Sequence, residues 1–368
     1  MGNFLKHLPS LLRSSFATAL VAAFFTSAGA FAQVEPAAPV AASAATSAPE
    51  SDPALRLPEL NASEWFDGQA GGTFGEKAVK FLPRSKRVAL AGFKVVFVNE
   101  TFARATVRAS YLPGRDTSGA SAAMQVNLAG VDAATLQALT DQAYARFIAQ
   151  LRAAGREVMT VADAKWDYSE FQTAPLPAEV SEGDTKGSAF APAGMPLWFQ
   201  LAEFGGPRLD QANSRAMGTA SFKAGAPIML AVTVVVDFAQ MASSGNRSGL
   251  VARSAEVGTT LAMSVRRIDT RLVRAEEAKG GIVYKGDDAW LRLTKPLVTD
   301  LEFAVLKVAE KDHGSGVGGF LSRAFVGTGK TAFRRAETSN GEYSKAATAV
   351  LERATGTLAK LFAEHAAQ

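Results

Sequence analysis

Ala226–Phe238 reads APIMLAVTVVVDF. The run is almost wholly apolar and rich in β-branched residues, the composition of a strand covered on both faces. Arg87–Val98, RVALAGFKVVFV, has the same character and supplies a second central strand. Val257–Leu272 is predicted as another strand, separated from the first by the turn-prone ASSGNRSG. Gly280-Gly281 marks the next turn, and Ile282–Tyr284 begins the third strand of an antiparallel meander. Pro296–Val308 fits a strand or a helix equally well.

Around these strands the periodicity changes. Asp132 is placed to cap a helix running to about Ala154, with Leu136, Leu139, Ala143, Phe147 and Leu151 as its apolar stripe and Gly155 as its stop. A short strand is expected at Glu157–Val161. Glu342–Glu364 carries Tyr343, Ala347, Val350, Ala354, Leu358 and Leu361 on one stripe, which predicts a closing helix packed on the sheet. After Asn99-Glu100, Ala103, Ala105, Val107, Ala109 and Tyr111 alternate with Phe102, Arg104, Thr106, Arg108 and Ser110. With Met124, Val126 and Leu128 beyond a turn, residues 102–130 read as an inserted β-hairpin. Residues 165–225 hold many prolines and glycines and read as an irregular insertion with one helical piece near Leu197–Phe204. The fold class is α/β (α+β): a mixed sheet, a long helix after the first strand region, an antiparallel meander and a packed C-terminal helix.

Residues 1–32 have the pattern of a secretory signal peptide. Lys6 and Arg13 precede the short apolar run Ala17–Phe25, and Ala30-Phe31-Ala32 offers a small-x-small cleavage site before Gln33. The run is too short to span a bilayer, so export to the periplasm or beyond is the expectation. Gln33–Leu55 is rich in Ala, Pro and Ser and lacks aromatics, and residues 33–56 are expected as a flexible tether before a single domain at 57–368. The chain has no cysteine. That excludes disulfides, thiolate chemistry and lipidation on sulfur. The formal charge of +4 falls by two when Lys6 and Arg13 leave with the leader, too little to imply a nucleic-acid partner.

The element order resembles the periplasmic α/β domain of the curli-secretion-channel family and the N-terminal domain of Tol-system proteins. RVALAGFKVVFV, the helix ATLQALTDQAYARFIAQLRAAG with REVMT behind it, IMLAVTVVVDF, TTLAMSVRRIDTRLV and the final SKAATAVLERATGTLAKLF carry the likeness, over about half of the mature chain. The resemblance implies a binding or assembly module of the cell envelope, often oligomeric, and brings no catalytic residues. The lipid-bearing cysteine of the curli channel is missing here, and the hairpin at 102–130 and the insertion have no counterpart.

Four sequence features carry candidate chemistry. Ala324–Phe333, AFVGTGKTAF, ends like a phosphate-binding loop, but the first glycine of that motif is replaced by Ala324 and a glycine-rich stretch stands where a buried strand should precede it. Nucleotide is therefore not expected as a ligand. In DAKWDYSEF, Asp163, Asp167 and Glu170 stand among aromatics, as acids in a sugar-binding cleft do; a loop with packed aromatics and solvated acids is the plainer reading. Asp287-Asp288 and Glu276-Glu277 read as turn and surface charges. Arg104 and Arg108 opposite small apolar residues on the hairpin would suit the lumen and lipid faces of an oligomeric barrel, although a half-exposed extension of the sheet is the commoner arrangement.

Phe320, Phe325, Lys330, Arg334 and Arg335 form a candidate contact surface in and after the glycine-rich Gly314–Gly329. No metal or cofactor is expected, since His7 leaves with the leader and only His313 and His365 remain. The sequence thus reads as a non-enzymatic envelope binding or assembly protein with a protein partner or a second copy of itself, and with the outer-membrane surface as a further partner. The alternatives are a carboxylate-dependent hydrolase of an envelope glycan or lipid, and an oligomeric outer-membrane channel component.

Overall fold

The APIMLAVTVVVDF run lies within a strand, Ile228–Asn246, at the centre of a mixed sheet. The computed structural model describes residues 66–70, 73–74, 86–107, 110–112, 115–117, 120–164, 168–199, 210–225, 227–246, 254–277, 283–309 and 330–365. In chain order the first strands are β1 (Phe66–Ala70), β2 (Thr73–Phe74), β3 (Arg87–Val107), β4 (Ser110–Leu112), β5 (Arg115–Thr117), β6 (Ala120–Ala129) and β7 (Glu157–Met159). β8 (Thr173–Ala174), β9 (Ala178–Glu182), β10 (Thr185–Phe190), β11 (Leu197–Trp198) and β12 (Ile228–Asn246) follow. The series closes with β13 (Ser254–Glu277), β14 (Val283–Leu293), β15 (Leu297–Val298), β16 (Val305–Val308) and β17 (Lys330–Glu337). The helices are α1 (Ala133–Ala153), α2 (Val161–Ala164), α3 (Asp210–Lys223) and α4 (Asn340–Glu364).

The main sheet runs β16-β17-β6-β3-β12-β13-β14-β1-β2, with β7, β9, β10 and β15 attached beside it. β12 pairs in parallel with β3 and antiparallel with β13, so both of its edges are used. The fold is α/β, as the sequence predicts.

Two faces follow from the strand period of two. Leu230, Val232 and Val234 of β12 belong to the large core cluster, with Leu139, Phe147 and Leu151 of α1 and Val350, Leu358 and Leu361 of α4. The stripes predicted for the two long helices are the buried ones, apart from the partly buried Leu136. Each such Leu, Val or Phe contributes about 1.5–3 kcal/mol by leaving water. Met229 and Ala231 point the other way, into a smaller cluster with Ala216 and Met217 of α3, Phe171 and Trp198. Gly155 follows the end of α1 with φ +78, the left-handed stop expected there.

β3 corrects the sequence reading in one respect. The central strand at 87–98 and the first strand of the 102–130 hairpin are one continuous element, because Asn99-Glu100 remains extended. Its first part pairs with β12, from Val88↔Ile228 to Phe97↔Val236. Its second part pairs with β6, from Glu100↔Asn127 to Val107↔Ala120. β12 continues alone with β13 as far as Asn246↔Ser254, through bulges at Val235/Val236 and Asp237/Ala239. Bulges bend and twist a strand. Here the extra residues are on β13, the shifts fall where β12 leaves β3, and β6 takes its place.

The insertion at 165–225 is more regular than its composition suggests. Ala178–Glu182 and Thr185–Phe190 form a hairpin that joins the sheet through Val95–Glu100 of β3. Leu197–Trp198 is extended rather than helical, and the helix of this region is Asp210–Lys223. Pro296–Val308 resolves into the strands β15 and β16. Asp287 and Asp288 lie inside β14, opposite Arg274 and Val273, and Glu276-Glu277 closes β13 opposite Tyr284 and Val283. The regular pairing there overrides the expected turn. The signal peptide and the tether lie outside the described residues.

Candidate functional site

β16 and β17 form one end of the main sheet. β16 pairs antiparallel with β17 in the register Val305↔Glu337, Leu306↔Ala336, Lys307↔Arg335 and Val308↔Arg334. β17 pairs in parallel with β6. Ala309 N donates to Phe333 O at 3.1 Å, which fixes the alternation of the ladder. Residues 305, 307 and 309 turn their backbone groups towards β17, so those of Leu306 and Val308 point outward. Thr338 N donates to Ala129 O at 3.1 Å, consistent with even-numbered residues of β17 facing β6. Among the described residues no strand pairs with the outer edge of β16.

Opposed residues of an antiparallel pair share a face. Leu306, Val308, Arg334 and Ala336 therefore lie on one side, where Ala336 is buried and Leu306 packs against the large core. Val305, Lys307, Arg335 and Glu337 lie on the other, with Lys307 paired to Glu337. That pairing holds the Glu337 carboxyl below its usual range. Val305 is 63 % exposed and Val308 74 %. Leu176 is the other exposed large hydrophobic among the described residues, so such exposure concentrates on this one strand.

The expected contact residues Arg334 and Arg335 thus stand directly beside the edge. Lys330 is the first residue of β17, and Phe320 and Phe325 lie outside the described residues. The placement of Lys330-Thr331 in a strand differs from a phosphate loop, in which these residues open a helix. Sequence reasoning missed the two valines. Val305–Val308 is too short for its periodicity to separate strand from helix.

A second cluster occupies the sheet face opposite α1 and α4. Lys94, Thr233, Asp269 and Arg292 align in one row across β3, β12, β13 and β14. Asp269 is fully buried and accepts from Arg292 Nε at 2.8 Å and from Arg267 Nε. Arg267 also donates to Glu182 of β9 at 2.8 Å. Arg271 and Arg292 lie over the Trp290 ring at 5.0 and 5.9 Å, and Lys94 over Trp198 at 5.3 Å. Arg266 is the extra residue at the bulge opposite Val235/Val236, and it pairs with Asp237 at 3.3 Å. An acid gripped by two guanidinium groups ties strands together; its oxygens are committed to partners. The spacing of two in Arg267, Asp269 and Arg271 was the sequence signal for this face.

The candidate acids near residue 165 serve local structure. Asp163 Oδ2 accepts from Thr160 N at 2.9 Å and Thr160 Oγ1 at 2.8 Å, at the start of α2. These bonds hold its carboxyl below the usual range. Glu170 is exposed and 3.5 Å from Lys223 Nζ, and Asp167 lies outside the described residues. Of their aromatic neighbours, Tyr168 donates to Ala91 O at 3.0 Å and Phe171 meets Trp198 at 5.0 Å between ring centres, while Trp166 lies outside the described residues.

On the 102–130 hairpin, Arg104 is exposed, while Ala105 and Val126 of the opposite face are buried within the protein. Among the described residues no helix is long and apolar enough to cross a membrane, and no group of three or more His, Asp or Glu is placed to hold a metal ion. No protein-family model, curated protein or solved structure matches the chain.

Proposed function

We propose that the chain is a binding or assembly protein of the bacterial envelope that acts without covalent chemistry and associates with itself. The observation that carries this reading is the outer edge of β16, with which no strand among the described residues pairs and on which Val305 and Val308 are exposed. A sheet edge of this kind is a template for another strand. The order β3, α1, β7, then the β12–β13–β14 meander and α4 lends support, since it is the order on which the likeness to envelope modules rests. The hydrolase alternative requires two carboxylates converging on one cleft. Asp163 and Glu170 instead have their own local partners.

Expression of the full chain in a double-membraned bacterium tests the proposal. The expected product begins at Gln33, leaves the cell on osmotic shock, and elutes as more than one copy by light scattering. An unprocessed cytoplasmic product, or turnover of an envelope glycan or lipid by the purified chain, would overturn it.

A further inference from the structure

Two adjacent arginines of β13 act on one side of the sheet. In a regular strand Arg266 and Arg267 would lie on opposite faces. Arg266 is instead the extra residue of a bulge, between the pairs Val236↔Val265 and Val235↔Arg267, and both guanidinium groups reach the carboxylate of Glu182. Bulges re-aim side chains in this way and are over-represented next to functional sites.

Each guanidinium is also held by a buried acid. Arg266 Nη1 lies 3.3 Å from Asp237 Oδ2, and Arg267 Nε donates to Asp269. Asp237 and Asp269 are both buried, so the two cations are positioned before any ligand arrives. Lys94, Arg271 and Arg292 stand on the same sheet face.

Glu182 is the anion seated between the two arginines. It ends β9, beside the exposed Gly183-Asp184, and its side chain is 43 % exposed. The fit is one-sided. Arg267 Nη1 donates to Glu182 Oε1 at 2.8 Å, whereas Arg266 Nη2 stands 3.7 Å from Oε2, beyond hydrogen-bond reach. A carboxylate offers two oxygens in one plane. A phosphate group offers more oxygens, set tetrahedrally, and can meet both guanidinium groups at once.

We infer that Arg266 and Arg267 form a binding site for a phosphate group, and that Glu182 is its built-in stopper, displaced by rotation of its own side chain when the ligand binds. An ion pair this exposed is weak, so a better-matched anion can replace it. The site does not depend on the assembly reading, and either can fail without the other.

The test measures phosphate binding by the full-length chain, using isothermal titration calorimetry with inorganic phosphate at matched ionic strength. Glu182→Gln keeps the size of the side chain and removes its charge. Its dissociation constant is expected at least tenfold below that of wild type. Asp184→Asn removes an equal charge from the exposed end of the same hairpin and is expected to bind as wild type does. Adding Arg266→Gln or Arg267→Gln to Glu182→Gln should abolish the gain. Co-sedimentation of the same chains with phosphatidylglycerol vesicles separates the two sources of phosphate. Capture strengthened by Glu182→Gln assigns a lipid headgroup, and calorimetric binding without capture assigns a soluble phosphate compound.

Equal gains in Glu182→Gln and Asp184→Asn overturn the inference, since they reflect overall charge alone. No gain in Glu182→Gln with either probe also overturns it, as does a wild-type chain that binds neither. The comparison of these two variants needs no arginine substitution, so it decides even where loss of a guanidinium beside a buried aspartate unfolds the chain.

Discussion

Asp132 and Asn340, 208 positions apart, tie the first turns of the two long helices together by reciprocal hydrogen bonds. Asp132 N donates to Asn340 Oδ1 at 3.0 Å, and Asn340 Nδ2 donates to Asp132 Oδ2 at 2.7 Å. Asp132 also caps α1 by accepting from Thr135 N at 2.7 Å. The Thr135 backbone bond is the main reason its carboxyl titrates below the usual value, with Asn340 adding to it. A depressed folded-state pKa contributes stability that is present above the unfolded value and is lost as pH falls through the folded one.

Asn340→Ala is therefore expected to lower the melting temperature at neutral pH. The deficit against wild type should shrink in acid, as pH falls below about 4 and on through the lower folded-state value at which Asp132 loses its charge. Melting curves at both pH values check this; a deficit of equal size in acid would show that Asn340 acts independently of the carboxylate.

Gly92 makes a second prediction. A Cβ there would meet Trp198 Cζ2 at 2.7 Å, closer than packed side chains come. Trp198 is buried, donates from Nε1 to Ala91 O at 3.1 Å, and packs with Phe171. The indole cannot swing away without breaking that bond and opening the smaller core. Gly92→Ala is expected to cost about 1–3 kcal/mol, the range for overpacking a filled core. Chemical denaturation should show it as a lower midpoint with an unchanged slope.

The parts of this fold that were legible in the sequence are those in which one requirement dominates. Val232, Val234, Val235 and Val236 must be apolar because β12 is covered on both faces, and the α4 stripe must be apolar because one side of that helix faces the sheet. Asp132 and Gly155 could be read because caps and stops depend on local geometry. β9 and β10 were hidden: Pro175, Pro177 and Gly183 dominate the composition around them, and their place beside β3 depends on a contact some ninety positions away. The edge strand was illegible for another reason. Whether Val305 and Val308 are exposed depends on which element ends the sheet, and four residues carry no trace of that.

Tyr343 makes a third prediction. Its ring is packed between Phe97 and Phe303, the residue is fully buried, and its hydroxyl has no hydrogen-bond partner among the described residues. Burial also pushes its phenol well above the usual pKa. An unpaired buried polar group costs about 1–3 kcal/mol. Tyr343→Phe keeps the ring and removes the hydroxyl, so a gain of about 1 kcal/mol is expected. Destabilisation measured by urea unfolding would mean that the hydroxyl is hydrogen-bonded in solution.

Asp237 carries the last prediction, because it sits where β12 parts from β3. The residue is buried at the second bulge, accepts from Ala239 N at 3.3 Å, and pairs with Arg266, which in turn reaches Glu182. Burial raises its pKa, and the Arg266 charge opposes that rise without cancelling it. A carboxyl with a raised folded-state pKa binds its proton more tightly in the folded chain. Its stabilising share is then complete below the unfolded value, near pH 4, and is lost as pH rises through the folded one. Asp237→Asn has no proton to release and escapes that loss. The variant should therefore gain on wild type as pH climbs from about 4 to 7. Unfolding free energies across this range provide the check. A gap that stays level, or turns in favour of wild type, would mean that the Arg266 pair outweighs the cost of burying the charge.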